Sequence, residues 1–308
     1  MNRLRQTLAA LALCFLLASL ETAKASDGGV EMTIAQFVST YENTTGGELP
    51  TGRIAFLDTN TEAWGSSAMT EGSLAKRLCA ILQKMNELND GDRNVAIYMP
   101  NLRKGSLPEY AFMECQRVHY FEAPLATGGI GSGAFAGCTG LVAISVPQMQ
   151  GEVGSAAFTR CSLLVSVDMP RMAWALPMMA FSYCESLETL SLPSCVGHIG
   201  NGAFVGCTKL KTVNLPKAGE GLGAGIFEEC PALTTITLSG VGATDPGTVA
   251  PDCFQGLNTA QCSLTFTATP HGEIYNSEVW KIGSNAHVFR SITVKDTTPN
   301  SMESTPKE

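Results

Sequence analysis

A chain of 308 residues with 44 % hydrophobic content is long enough to bury a sizeable core. A formal net charge of −8, with no basic stripe, argues against nucleic acid and anionic lipid as partners. Charged residues make up only 16 % and aromatics 7 %, while glycine reaches 31, so many positions need close backbone approach or unusual backbone angles.

The chain opens with MNRLR, a short basic start, followed by the apolar run TLAALALCFLLASL and the small-x-small site Ala23-Lys24-Ala25. This is the pattern of a secretory signal peptide over residues 1–25, cleaved to leave Ser26 first, and the apolar run is short for a membrane span. Its loss removes Arg3, Arg5, Lys24 and Glu21 and takes the net charge to −10, from 17 basic and 27 acidic residues. No later apolar segment reads as an anchor, so the expectation is a secreted or surface-associated protein with no transmembrane segment, the periplasm being the other compartment open to it.

Residues 26–92 read as a small capping subdomain. MTIAQFVSTY places Ile34, Phe37, Val38 and Tyr41 on one helical face. SLAKRLCAILQKMNEL does the same with Leu74, Leu78, Ile81, Leu82, Met85 and Leu88, with Gly91 as a stop. RIAFLD between them reads as a strand.

From residue 93 the sequence repeats. AFMEC, AFAGC, AFTRC, AFSYC, AFVGC and IFEEC place Phe112, Phe135, Phe158, Phe181, Phe204 and Phe227 at a fixed step of 23 residues. Cys115, Cys138, Cys161, Cys184, Cys207 and Cys230 keep the same step. Pro124, Pro147, Pro170, Pro193 and Pro216 close segments such as LVAISVP, LVSVDMP, LETLSLP and LKTVNLP. GGIGSG before Phe135 suggests a phosphate loop when met alone. It recurs as GEVGSA, GHIGNG and EGLGAG, so its glycines belong to the architecture and form a turn in every coil.

Each unit is one coil of a solenoid. The alternation of Leu187, Leu190 and Leu192 gives a short strand with its apolar side inward, and the proline that follows ends the ladder. One coil cannot bury its own apolar face, so coils stack. After Phe227 the step to Phe254 is 27 residues and Leu257 replaces the cysteine, while HVFRSITVKD reads as a closing strand. Residues 296–308 are polar and read as a disordered tail.

The pattern IG-x-x-AF-x-x-C-x-x-L-x-x-I-x-L-P resembles the BspA-type leucine-rich repeat of surface and secreted proteins, over residues 93–295. The resemblance implies a leucine-rich-repeat solenoid with a parallel β-sheet on the concave face; with the small α-rich N-terminal cap read from residues 26–92, the expected fold class is α/β. The resemblance also implies attachment or protein recognition rather than catalysis.

Catalytic and metal patterns are missing from the sequence. His119, His198, His271 and His287 are scattered, and there is no H-E-x-x-H, G-x-S-x-G or P-loop. His119 and Glu122 have a ligand-like spacing but read as a surface pair. No metal or cofactor is expected. An enzyme with its site in residues 26–92 would have to work from Asp58, Glu62 or Cys79, since no histidine precedes His119. The cysteine ladder reads as buried free thiols, with parallel side chains ill suited to bridging. Cys253 and Cys262 are the best placed of the cysteines to bond.

The outward strand positions form two columns. One runs through Tyr120, Ala143, Ser166, Thr189, Thr212 and Thr235, the other through Glu122, Ser145, Asp168, Ser191, Asn214 and Thr237. This smooth, hydroxyl-rich surface is the expected binding face of a monomer for an extracellular protein or glycan ligand, through weak or multivalent contact. The alternative is a structural component of an envelope or matrix.

Overall fold

The computed structural model describes residues 29–59, 72–87, 94–239, 250, 252–267 and 289–294. The signal peptide, Leu88, Gly91, Glu62 and the polar tail lie outside the described residues.

The chain begins with β1 (Val30–Met32), α1 (Ile34–Tyr41), β2 (Gly52–Phe56) and α2 (Leu74–Gln83). Thr33 and Gln36 close a capping box at the start of α1, and Ser73 caps α2 by accepting from the Lys76 N–H. Ile34, Phe37 and Val38 of α1, with Leu78, Ile81, Leu82 and Met85 from the second helical segment, are buried. Both helical faces read from the sequence are therefore the ones that pack.

The strands β1 and β2 were the less visible part of this region. They do not form a separate sheet: β1 pairs with β2, β2 with β3 (Val95–Tyr98), and β3 with β4 (Val118–Glu122), all parallel. The cap is α-rich but contributes two strands, and these extend the solenoid sheet. Its helical arc also completes the first coil. In later coils the carbonyl equivalent to that of Met113 accepts from the preceding coil, as the Glu114 N–H donates to Ala136 O at 2.7 Å. Met113 O has no coil before it, and Gln83 Nε2 donates to it at 2.7 Å instead. Asn86 Nδ2 likewise donates to Glu114 O.

Four further strands follow the repeat: β5 (Ala143–Ser145), β6 (Ser166–Asp168), β7 (Thr189–Ser191) and, after β8 (Val196–Ile199), β9 (Thr212–Leu215). Then come β10 (Lys217–Leu222), β11 (Thr235–Leu238), β12 (Ser263–Phe266) and the closing strand β13 (Ser291–Val294). The extra residues between Phe227 and Phe254 leave the frame intact: the two rings remain parallel within 5°, and Ile236 still pairs with Leu264.

Inside, the phenylalanines form one continuous stack. Phe112, Phe135, Phe158, Phe181, Phe204, Phe227 and Phe254 lie with successive centroids 5.1–6.1 Å apart and interplanar angles of 4–13°, and all are fully buried. Parallel offset rings are a favourable aromatic arrangement at this spacing. Phe289 closes the stack edge-on against Phe254 at 5.1 Å.

The cysteine ladder has a more specific role than filling. Cys138 Sγ donates to Phe112 O, Cys161 to Phe135 O, Cys184 to Phe158 O, Cys207 to Phe181 O and Cys230 to Phe204 O, at 2.8–3.2 Å. Each thiol therefore ties a coil to the phenylalanine carbonyl of the coil before it. The ten described cysteines, Cys253 and Cys262 included, are unpaired and buried. Burial pushes the Cys161 and Cys184 thiols above the ordinary range, so the thiolate is disfavoured. In the native protein a thiol reagent should leave Cys138, Cys161, Cys184, Cys207 and Cys230 unlabelled. Denaturation without reductant should expose all five, as read by mass mapping. Failure to label them on denaturation would mean that they are bridged along the ladder.

The sheet is interrupted once. β1 to β6 form one six-stranded sheet and β7, β9, β11, β12 and β13 another of five strands. A second, narrower ladder stops at the same junction. Leu107, Ile130 and Val153 bridge in sequence, and bridging resumes from Leu176 to Ile199. The cause is readable in the turn. Gly131, Gly154, Gly200 and Gly223 donate their N–H to Leu107, Ile130, Leu176 and Ile199 carbonyls of the preceding coil at 2.7–2.9 Å. Pro177 occupies that position in the intervening coil and has no N–H to give. Three residues earlier, Trp174 replaces a glycine whose equivalent, Gly128, has room for no side chain: a Cβ there would meet Gly105 O at 1.9 Å. The coil stands off at both strand ladders. It stays joined through the Phe158–Phe181 stack and through Ala156, Phe158 and Arg160 N–H donated to Met178, Ala180 and Ser182 carbonyls.

Candidate recognition surface

Strand register places the two outward columns as the repeat requires. Tyr120, Ala143 and Ser166 lie side by side, as do Glu122, Ser145 and Asp168. Beyond the interruption, Thr189, Thr212 and Thr235 align, and Ser191, Asn214 and Thr237 align. The columns continue past the residues named from sequence, through Ser263 and Thr265 to Ser291 and Thr293.

Not every member is presented to solvent. Ser145 is only 6 % exposed, and its hydroxyl donates to Asp168 Oδ2 at 3.0 Å. Ala143 is buried as well. The two outward positions of β5 thus act as a floor, contrary to the reading of Ser145 as a solvated contact residue. Asn214 Nδ2 donates to Ser191 Oγ at 2.9 Å, which holds both side chains in the sheet direction. At the rim Lys211 pairs with Glu188 at 2.8 Å and holds that carboxyl below its ordinary range. The hydroxyl-rich region is therefore pre-ordered by its own cross-strand bonds.

The N-terminal end of the same face differs in chemistry. β2 and β3 extend the outward columns: Arg53 lies in the Tyr120 column with Ala96 between them, and Tyr98 lies beside Glu122. The Arg53 guanidinium lies 3.9 Å from the centre of the Tyr98 ring, a cation–π contact. Burial raises the Tyr120 phenol above its ordinary value. Tyrosine and arginine are the residue types that anchor interfaces. Arg53 escapes sequence reading because RIAFLD falls in the cap, and Tyr98 because NVAIYMP lacks the leading leucine of the repeat. NVAIYMP aligned on its proline with YFEAP would have placed Tyr98 above Glu122.

Asp58, His119 and Glu122, singled out for their chemistry, each have a structural contact. Asp58 Oδ2 accepts from the Ile34 N–H at 2.9 Å and so caps α1. His119 sits where β4 bulges against β3, with its ring against Gly140, and burial and Arg117 lower its pKa. Glu122 forms a cross-strand pair with Tyr98 and with Ser145. Among the described residues no group of three potential ligands gathers, and no helix is long and apolar enough to cross a membrane. At the interruption a cleft of about 400 Å³ opens, lined by Glu152, Val153, Trp174, Pro177, Met178 and His198. Trp174 and Met178 are each 48 % exposed there, and the Trp174 indole donates to Gln150 O.

One parallel strand per coil, with a phenylalanine stack inside and a polar strand face outside, defines a leucine-rich-repeat solenoid. A family model described as "BspA type Leucine rich repeat region" matches residues 105–234 and 174–282, with six copies. These spans cover more than half of the chain, which therefore belongs to the BspA-type leucine-rich-repeat family. Among solved structures, a leucine-rich-repeat protein of T. pallidum is 30 % identical, with a TM-score of 0.41, over 48 % of this chain and 75 % of that one. A leucine-rich cell surface protein of Faecalibacterium prausnitzii is 16 % identical, with a TM-score of 0.29, over 66 % and 73 %. A leucine-rich-repeat protein of Bacteroides ovatus is 15 % identical, with a TM-score of 0.26, over 65 % and 75 %. No curated protein matches the chain.

Proposed function

We propose that the chain is an exported, surface-associated or secreted binding protein without catalytic activity. It recognises an extracellular protein or glycan through its strand face. The observation that carries this reading is the outward face itself, which runs through two parallel sheets, from Arg53 to Asp168 in one and from Thr189 to Thr293 in the other. Rigid strand pairing fixes the spacing of side chains over many coils, and solenoids use such surfaces to hold extended partners.

Within that face two regions divide the work. The Arg53, Tyr98, Tyr120 and Glu122 cluster supplies the energetic anchor, since the rings lose little entropy on contact and Arg53 is already held over the Tyr98 ring. The hydroxyl-rich strands from Ser166 to Thr237 supply register and multiple weak hydrogen bonds. In binding measurements on a ligand captured by the purified protein, Tyr98→Ala and Arg53→Ala should each weaken affinity by about tenfold or more. Thr265→Ala, further along the face, should change it by less than about threefold. Equal, small effects at all three positions would remove the anchor from this end of the sheet.

A further inference from the structure

We propose that Cys79 and Cys115 are a redox-active pair that closes as a disulfide and clamps the α2 helix onto the first coil. Their Sγ atoms are 3.8 Å apart, and both residues are buried. They approach from different elements, α2 and the first coil, 36 residues apart in sequence. Repeat cysteines from successive coils lie side by side and aim at backbone instead.

Cys115 is also the one member of the six-residue ladder that starts without a coil before it. The other five thiols each donate to a phenylalanine carbonyl at 2.8–3.2 Å. Cys115 Sγ finds only the Cys79 and Met113 carbonyls at 3.8 Å, together with the Cys79 sulfur. A buried thiol with no good acceptor and a second sulfur in contact is placed for bond formation. The two thiols are not equivalent. Gln83 Nε2 donates toward Cys79 Sγ at 3.4 Å while also holding Met113 O. Cys79 Sγ also donates to Met113 O at 3.2 Å, and because Cys79 rides on α2 it is the sulfur that leaves the interior when the helix moves, which makes it the attacking sulfur and Cys115 the resolving one.

The oxidant is a small-molecule disulfide of the glutathione class. Cys79 thiolate attacks one sulfur of that disulfide, which forms a mixed disulfide and expels one thiolate. Cys115 loses its proton and attacks the Cys79 sulfur, which expels the second. Two protein thiols are oxidised to one disulfide, and the small disulfide is reduced to two thiols. Cys79 lies on the buried face of α2, against Cys115, so the first attack requires that helix to lift, and closure then prevents it from lifting again. The inference concerns the cap alone and does not rest on the binding reading above.

The test uses the purified chain in buffers poised with reduced and oxidised glutathione. Non-reducing peptide mapping should find a fragment joining Cys79 to Cys115, while Cys138, Cys161, Cys184, Cys207 and Cys230 remain free. Amide exchange along α2 should slow by about tenfold or more in the oxidised form. Cys79→Ala and Cys79→Ser should both lose the cross-link and the slowing. Since the mapping is done on unaltered protein, it decides even if a variant folds poorly. Recovery of Cys79 and Cys115 as free thiols after oxidation, or joined to other cysteines, would overturn the proposal.

Discussion

Phe158→Ala should lower the unfolding free energy by about 3–5 kcal/mol, the cost of truncating a buried aromatic side chain. Phe158 is fully buried between Phe135, at 5.5 Å and 6°, and Phe181, at 5.1 Å and 8°. Removing the ring leaves a cavity walled above and below by phenylalanines whose positions are set by their own coils, so the space cannot collapse cheaply. Its place in the solenoid raises the cost further. Between this coil and the next neither strand ladder is closed, and the ring stack with a few arc hydrogen bonds carries the junction. Phe204→Ala, flanked by ladders that are closed on the side toward Phe181, should therefore cost less. Denaturant unfolding of both variants checks the order. A Phe158→Ala cost no larger than that of the exposed Thr189→Ala would mean that the repeat register is wrong.

Arginines placed together at Ser166, Thr189 and Thr212 should abolish binding while the protein stays folded. Thr189 is exposed and Ser166 and Thr212 are half-buried at the centre of the outward column, so longer side chains can extend into solvent. Three like charges there add bulk and mutual repulsion over a surface that is nearly uncharged now. Because the present surface has so little charge, association of the unaltered protein should also depend only weakly on salt. Unfolding curves close to those of the unaltered protein would show that the triple variant is intact. Unchanged affinity in that variant would move the site away from the centre of the sheet.

The coil was legible because its constraints repeat. A phenylalanine, a cysteine and a proline at fixed offsets leave one way to stack, and the structure places Phe158, Cys161 and Val167 accordingly. What the pattern hid lies where one coil departs from it. WALPMM before Phe181 reads as a degraded copy of GGIGSG, yet Pro177 lacks the N–H that the ladder uses and Trp174 fills space that glycine leaves to backbone. Pro177 leaves the narrower ladder open, and both residues line the cleft at the junction where the main sheet is also interrupted. In the cap the two helices and the RIAFLD strand were legible, whereas VEM, three residues long, shows no strand period, and the joining of both strands to the solenoid sheet is set by tertiary pairing. That pairing is what brings Arg53 to the outward face, and Tyr98 escapes because NVAIYMP lacks the leading leucine of the repeat. The cysteine positions were legible as interior, but the carbonyl each thiol reaches depends on the stagger between coils.

The central claim is that the outward strand face is the recognition surface. The most direct measurement is a paired binding profile of the unaltered chain and the folded Ser166→Arg, Thr189→Arg, Thr212→Arg variant against an array of extracellular-matrix proteins and glycans. The account predicts at least one array member held by the unaltered chain and lost by the variant. Members held equally by both would contradict it, and an array that captures neither would favour a structural component of an envelope or matrix.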